Sequence, residues 1–219
     1  MKHIKLSIIF AIWTILLSAT VNFAQPPTSV LTGGLNSPNK IITAGQTSLL
    51  VTENGTMMPN NGRISLINRA TGARLTLIDG LPSGINTAEG QPAPSGPSGL
   101  KLKGLTLYLT IGGGDSVVPG ERGGLAANPN PATPLNNSVL ELSLPADYEQ
   151  LASGFSLSFA DQTTLAGGSQ INLLNAQGKK LSMRLVANLP DWKRDYRPGI
   201  PQYNVRPANV FGIEAVGEN

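Results

Sequence analysis

The chain has 219 residues, no cysteine and a single histidine, His3. Beyond residue 24 it carries fourteen basic and thirteen acidic side chains, with no run of like charge, so it offers no clustered basic face for nucleic acid. Without cysteine no disulfide can staple the fold. Without His or Cys past residue 3, a Ser-His-Asp or Cys-His centre, an ordinary zinc site and the usual copper or haem ligands are all excluded.

The first stretch reads as a targeting segment. Lys2 and Lys5 precede an apolar run, Leu6–Leu17. That run has the length of a signal-peptide core and falls short of the roughly 20 residues of a membrane span. The expected signal peptide is 1–24, with cleavage after Ala24, and the expected location is secreted or periplasmic. Residues 25–32 form a tail that Pro26 and Pro27 keep extended. The rest, 33–219, is rich in glycine and proline and poor in aromatics, which favours short strands joined by turns.

Gly62–Pro82 shows apolar alternation at Ile64 and Leu66, a turn ending at Gly72, then alternation again at Leu75 and Leu77. This is the pattern of a hairpin. Ser169–Pro190 repeats it with Ile171 and Leu173, a turn ending at Gly178, then Leu181 and Met183. A second repeat begins at prolines. Pro38, Pro97 and Pro207 each lead to an apolar residue (Ile41, Leu100, Ile213) four positions before a glycine. After the first two of these turns comes an apolar run, Ser48–Thr52 and Leu105–Ile111. The expected unit is therefore short strand, turn, buried strand and hairpin, which makes four strands, as in a propeller blade.

The fold class predicted is all-β and propeller-like. Blade one covers about 33–82, an enlarged blade two about 97–190, and a third starts at 206–219. Pro82–Pro97 reads as a linker. The loop from Gly112 to about Asn136 is long enough to suggest a function. Asp147–Ala152 reads as one helical turn, and Phe155, Leu157 and Phe159 as an inserted strand. Whether this region is one enlarged blade or two compressed ones stays open. Since a ring closes with ~4–8 blades, the chain is expected to be part of a longer protein, or to be completed by another chain as an oligomer.

Several motifs in these stretches resemble the N-terminal part of the ScyD/ScyE family of secreted, propeller-like proteins. They are Gly-Leu-Asn-Ser-Pro at 34–38, Leu-Pro-Ser-Gly at 81–84, Gly-Pro-Ser-Gly at 96–99, Thr-Ile-Gly-Gly-Gly at 110–114 and Arg-Pro-Ala-Asn-Val-Phe-Gly-Ile at 206–213. Lys40 stands where a small residue is usual, and Phe155–Gly168 is longer than that family's pattern. The resemblance implies export and a propeller, and brings no reaction or catalytic residue.

Two functional readings follow. In the first, a non-enzymatic protein binds a ligand or protein partner through its loop face. Gly112, Gly113, Gly114 and Asp115, with the aromatic residues Trp192 and Tyr196, are the candidate contacts, because glycine N–H groups can meet an anion and aromatic rings can stack a sugar. In the second, a calcium-assisted hydrolase of lactone type uses Glu53, Asn54, Asp79 and Asp115, whose oxygens suit a hard cation. A structural or surface-matrix role is a third option.

Overall fold

The computed structural model describes residues 29–87, 91–120, 124–194, 205–207 and 210–214. The expected signal peptide at 1–24 and Tyr196 lie outside the described residues. One unit spans Leu31–Asn219, separate from Met1–Val30.

The strands, in chain order, are β1 (Pro38–Ala44), β2 (Ser48–Glu53), β3 (Gly62–Asn68), β4 (Arg74–Leu81), β5 (Gly84–Asn86), β6 (Ala93–Ser95), β7 (Pro97–Lys103), β8 (Thr106–Ile111), β9 (Val117–Pro119), β10 (Leu125–Ala127), β11 (Ser138–Ser143), β12 (Phe155–Ser156), β13 (Ile171–Leu174), β14 (Lys180–Asn188), β15 (Trp192–Arg194) and β16 (Val205–Pro207). Among the described residues an α-helix, α1 (Phe159–Ala166), and a 3-10 turn at Tyr148–Gln150 interrupt them. The fold is all-β in class. Two five-stranded sheets dominate, ordered β1-β2-β3-β4-β12 and β13-β14-β11-β8-β7. Three two-stranded ribbons, β5-β6, β9-β10 and β15-β16, accompany them.

The proline-headed repeat is a matched pair in space. Pro38 faces Glu53 and Ile41 faces Val51. Pro97 faces Ile111 and Leu100 faces Leu109. Each first strand thus carries one extra residue, a bulge, at the same place. Each bulge is held by the same hydrogen bond: Lys40 N donates to Thr52 Oγ1 at 2.9 Å, and Gly99 N donates to Thr110 Oγ1 at 2.6 Å. The turns that follow use Gly45 at φ 60° and Gly104 at φ 58°, a conformation in which a Cβ would clash. The two threonines should therefore respond alike. Thr52→Val and Thr110→Val each remove the acceptor of a bulge N–H, part-buried at Lys40 and buried at Gly99, and are expected to cost about 1–3 kcal/mol. Urea denaturation measures both, and a large loss for one with none for the other would deny the equivalence.

The hairpin repeat holds only in part. β3 and β4 form the expected third and fourth strands of the first sheet. In the second sheet β14 occupies the fourth place, but the third is β11, which pairs with both β8 and β14. β13 lies beyond β14 at the sheet edge. Ile64 therefore sits inside its sheet between Thr52 and Ile78, whereas Ile171 has a partner on one side only, Met183. The turns really are alike. Asn68 Oδ1 accepts the N–H groups of Ala70 and Thr71, and Asn175 Oδ1 those of Gln177 and Lys179. Turn chemistry fixes a reversal, and says nothing about which edge the returning strand will join.

The region before α1 also differs from expectation. Phe155–Ser156 is a strand, parallel to β4, but Phe159 opens the helix and is exposed. Ser158 and Asp161 make a capping box, which satisfies two end N–H groups at once and overrides a weak period-two signal. The 3-10 turn falls inside the helical turn expected over Asp147–Ala152. The second sheet is a single sheet, but β12 joins the first sheet and β13 and β14 the second, so the region expected to enlarge blade two contributes to both sheets.

One apolar cluster joins the sheets. Leu50, Ile64, Leu66 and Ile78 of the first meet Leu107, Leu109, Leu140, Leu142 and Met183 of the second. β1 and β2 pack against β7, and Thr52 Oγ1 donates across the gap to Ser98 O at 3.2 Å. The far face of the second sheet is polar: Tyr108, Glu141 and Arg184 lie side by side on it.

Candidate functional site

The long connections gather at one end of both sheets: 54–61, 82–96, 112–137 and 189–191. They are bonded to one another. Asn54 N donates to Ser37 O, Asn60 N to Ser83 O, Gly112 N to Gly96 O and Leu189 N to Asn137 O. Gln162, on α1 and fully buried, ties the face together from beneath. Its amide donates to Asn60 Oδ1 and Gly80 O, and its oxygen accepts from Thr133 Oγ1. The described parts of all five motifs quoted above fall at this end.

Glu53, the last residue of β2, is fully buried. Its carboxylate accepts from Asn36 N, Ser65 Oγ and Arg63 Nη2, the last at 2.7 Å. Burial alone would push its carboxyl up. The Arg63, Ser65 and Asn36 hydrogen bonds, helped by the Arg63 charge, outweigh burial and hold it below its ordinary value. This carboxylate is occupied in holding the fold.

The triple glycine ends β8. Gly112 N already donates to Gly96 O, and Gly114 N to Ser95 Oγ at 3.0 Å. Those two N–H groups are therefore engaged within the loop face. Asp115 organises the loop that follows: its carboxylate accepts from Ala132 N at 3.0 Å and from the amides of Asn128 and Asn136 at 3.3 Å each.

Beside the triple glycine lies a cleft of about 110 Å³. Asn39, Asn54, Asn86, Ser95, Ser98 and Phe211 supply its functional side chains, and among the described residues no charged one lines it. Asn54 donates to Pro94 O at 3.3 Å, while its Oδ1 is buried without a partner. Ser98 Oγ donates to Val210 O at 2.6 Å, which holds the segment bearing Phe211 over the cleft. Trp192 is 38% exposed and heads β15, opposite Pro207 of β16.

The four residues expected to share a cation do not form one set. Glu53 is paired with Arg63, Asn54 lines the cleft, and Asp115 belongs to the 112–137 loop. Asp79 is exposed on β4 and lines a different cleft, with Arg74, Gly154, Phe155 and Asn175. Among the described residues no group of three or more His, Cys, Asp or Glu side chains is placed to hold a metal.

Sequence reasoning missed Asp191, Asn136 and Asn137. Asn137 donates to Asp191 Oδ1 at 3.3 Å. Burial pushes the Asp191 carboxyl up from its ordinary value. The Asn137 hydrogen bond opposes this, and the Asp115 charge adds to it. No local signal marks these residues, because Asp115 and Asp191 meet only through the fold.

The geometry defines an all-β pair of stacked sheets with one elaborated, bonded loop face. No protein-family profile matches the chain. No curated protein and no solved structure matches it either.

Proposed function

We propose that the two sheets are successive blades of an exported propeller-like protein of the ScyD/ScyE type, and that its loop face binds a neutral, hydroxyl-rich ligand such as a saccharide end. Two observations support the stacking. The bulged first strand recurs with the same hydrogen bond, and equivalent positions differ only by what lies in front of them. Leu100 is buried beneath the first sheet, while its counterpart Ile41 is 58% exposed. Export rests on the Lys2, Lys5 and Leu6–Leu17 pattern.

The ligand reading is carried by the lining of the cleft. Carboxamides and hydroxyls both donate and accept, so they match sugar hydroxyls, and the absence of charge disfavours ionic ligands. An aromatic ring beside them supplies an apolar face. The volume is below that of a site enclosing a drug-sized molecule, so the cleft takes one ring or chain end. Calorimetric titration with a panel of soluble mono- and disaccharides tests this. At least one should bind, and Asn54→Ala or Phe211→Ala should abolish binding while Asp79→Ala leaves it intact. No binding by any member, or binding that survives both cleft variants, defeats the reading.

A further inference from the structure

We propose that Asp115, Asp191, Asn136 and Asn137 form a binding site for a single calcium ion that locks the 112–137 loop to the end of β14. This does not depend on the ligand reading. Asn136 and Asn137 are 1% and 0% exposed. Asn136 directs its amide nitrogen to the Asp115 carboxylate, and Asn137 directs its own to both the carboxylate and the main-chain oxygen of Asp191, each at 3.3 Å. That is longer than an ordinary N–H···O bond. Each leaves its own Oδ1 buried with no partner. Two adjacent side chains thus strand a carbonyl oxygen in the interior beside carboxylates, where an unmet polar atom is costly.

A cation resolves these conflicts together. Turning each carboxamide about its last bond brings Oδ1 to the carboxylate side, where oxygen and nitrogen are otherwise interchangeable in shape. Two carboxylates and two amide oxygens then surround one ion, which neutralises them. Among the described residues neither Asp115 nor Asp191 has an ion-pair partner. The donors are all hard oxygens, and calcium accepts irregular sets of 6–8 such ligands, the remainder coming from water or main chain. Magnesium demands a tighter octahedron and keeps its water. Half of the set is amide, and only Asp115 and Asp191 carry charge.

The test uses the full chain, freed of metal with a chelator and then titrated with calcium or magnesium chloride. Calorimetry should give one calcium per chain, and thermal melting should rise with calcium far more than with magnesium. Terbium should bind in calcium's place and luminesce on tryptophan excitation, since Trp192 adjoins Asp191. Trp192→Phe should remove that emission and leave calcium uptake intact. Asp191→Asn should weaken uptake at least about 10-fold, affinity following ligand charge. It should melt no earlier than the metal-free parent, because it removes a half-buried charge that lies near the like charge of Asp115. Should Asp191→Asn fail to fold, the parent titration decides alone. No calcium uptake by the parent at about 10 mM, above the ~10⁻⁴–10⁻³ M range of extracellular sites, overturns the proposal. So does uptake unchanged in a folded Asp191→Asn protein, or equal stabilisation by magnesium.

Discussion

Glu53→Ala is expected to destabilise the protein by about 3–5 kcal/mol, the cost of breaking a buried ion pair from one side. The carboxylate is fully buried and serves three donors, two on β3 and one in the loop before β1. Its removal strands the Ser65 hydroxyl, which is buried, and the Asn36 N–H, and leaves Arg63 without its counter-charge. Glu53→Gln keeps the shape and part of the bonding, so it should cost less. The pair also sets the acid limit. The Glu53 carboxyl is held below its ordinary value of 4.5. A depressed carboxyl binds fewer protons folded than unfolded, so its stabilisation is complete above that value and fades as pH falls through the folded one. Urea denaturation at neutral pH and below pH 4.5 should therefore show Glu53→Gln losing less stability on acidification than the parent. Parallel losses for the two proteins would show that this carboxylate does not set the acid limb.

This pair also marks how far the sequence could be read. Glu53 and Arg63 face each other across β2 and β3, and the strands were legible, β2 from its apolar run and β3 from its alternation. Their pairing follows once the hairpin register is known. The proline-headed repeat was legible for the same reason: Pro38 and Pro97 fix local backbone, the glycines at 45 and 104 fix turns, and both acts are complete within a few residues. The second hairpin was legible as a hairpin and misplaced as a pair of strands. β14 could accept a partner on either edge, and β11, far earlier in the chain, took the inner one. That choice is made by the core, where Leu140 and Leu142 fit between neighbours, and no local pattern records it.

The loop face follows the same rule. Residues at strand ends were singled out because strand ends are where glycine, asparagine and aspartate concentrate. Which of them converge depends on how connections of 8 to 26 residues, 54–61 and 112–137, cross one another. Asp115 was named and Asp191 was not, though the two interact, and Asp79 was grouped with residues it does not join. Gln162 looked like an ordinary helix residue; its burial against two loops and β4 is visible only in three dimensions.

Leu109→Ala is expected to cost about 2–5 kcal/mol, and Arg184→Ala, on the opposite face of the same sheet, far less. Leu109 is fully buried, with Leu100 on one flank and Leu140 on the other. Alanine there opens a cavity between the sheets that rigid strands cannot close. Arg184 grips Glu141 with two hydrogen bonds, from Nε at 2.8 Å and from Nη2, but its side chain is 52% exposed. Water replaces most of what the substitution removes. The contrast tests the arrangement of the core, because both residues belong to central strands of one sheet and differ only in the face they present. It also bears on the propeller proposal. A further sheet stacked on this face would bury the Arg184–Glu141 pair and raise the cost of breaking it toward ~3–5 kcal/mol. A small loss in this chain, set beside a large one in any protein that continues with another sheet, would locate the next blade on that face. A large loss in this chain alone would mean the face is already covered, by a second copy or by the chain's own remaining residues.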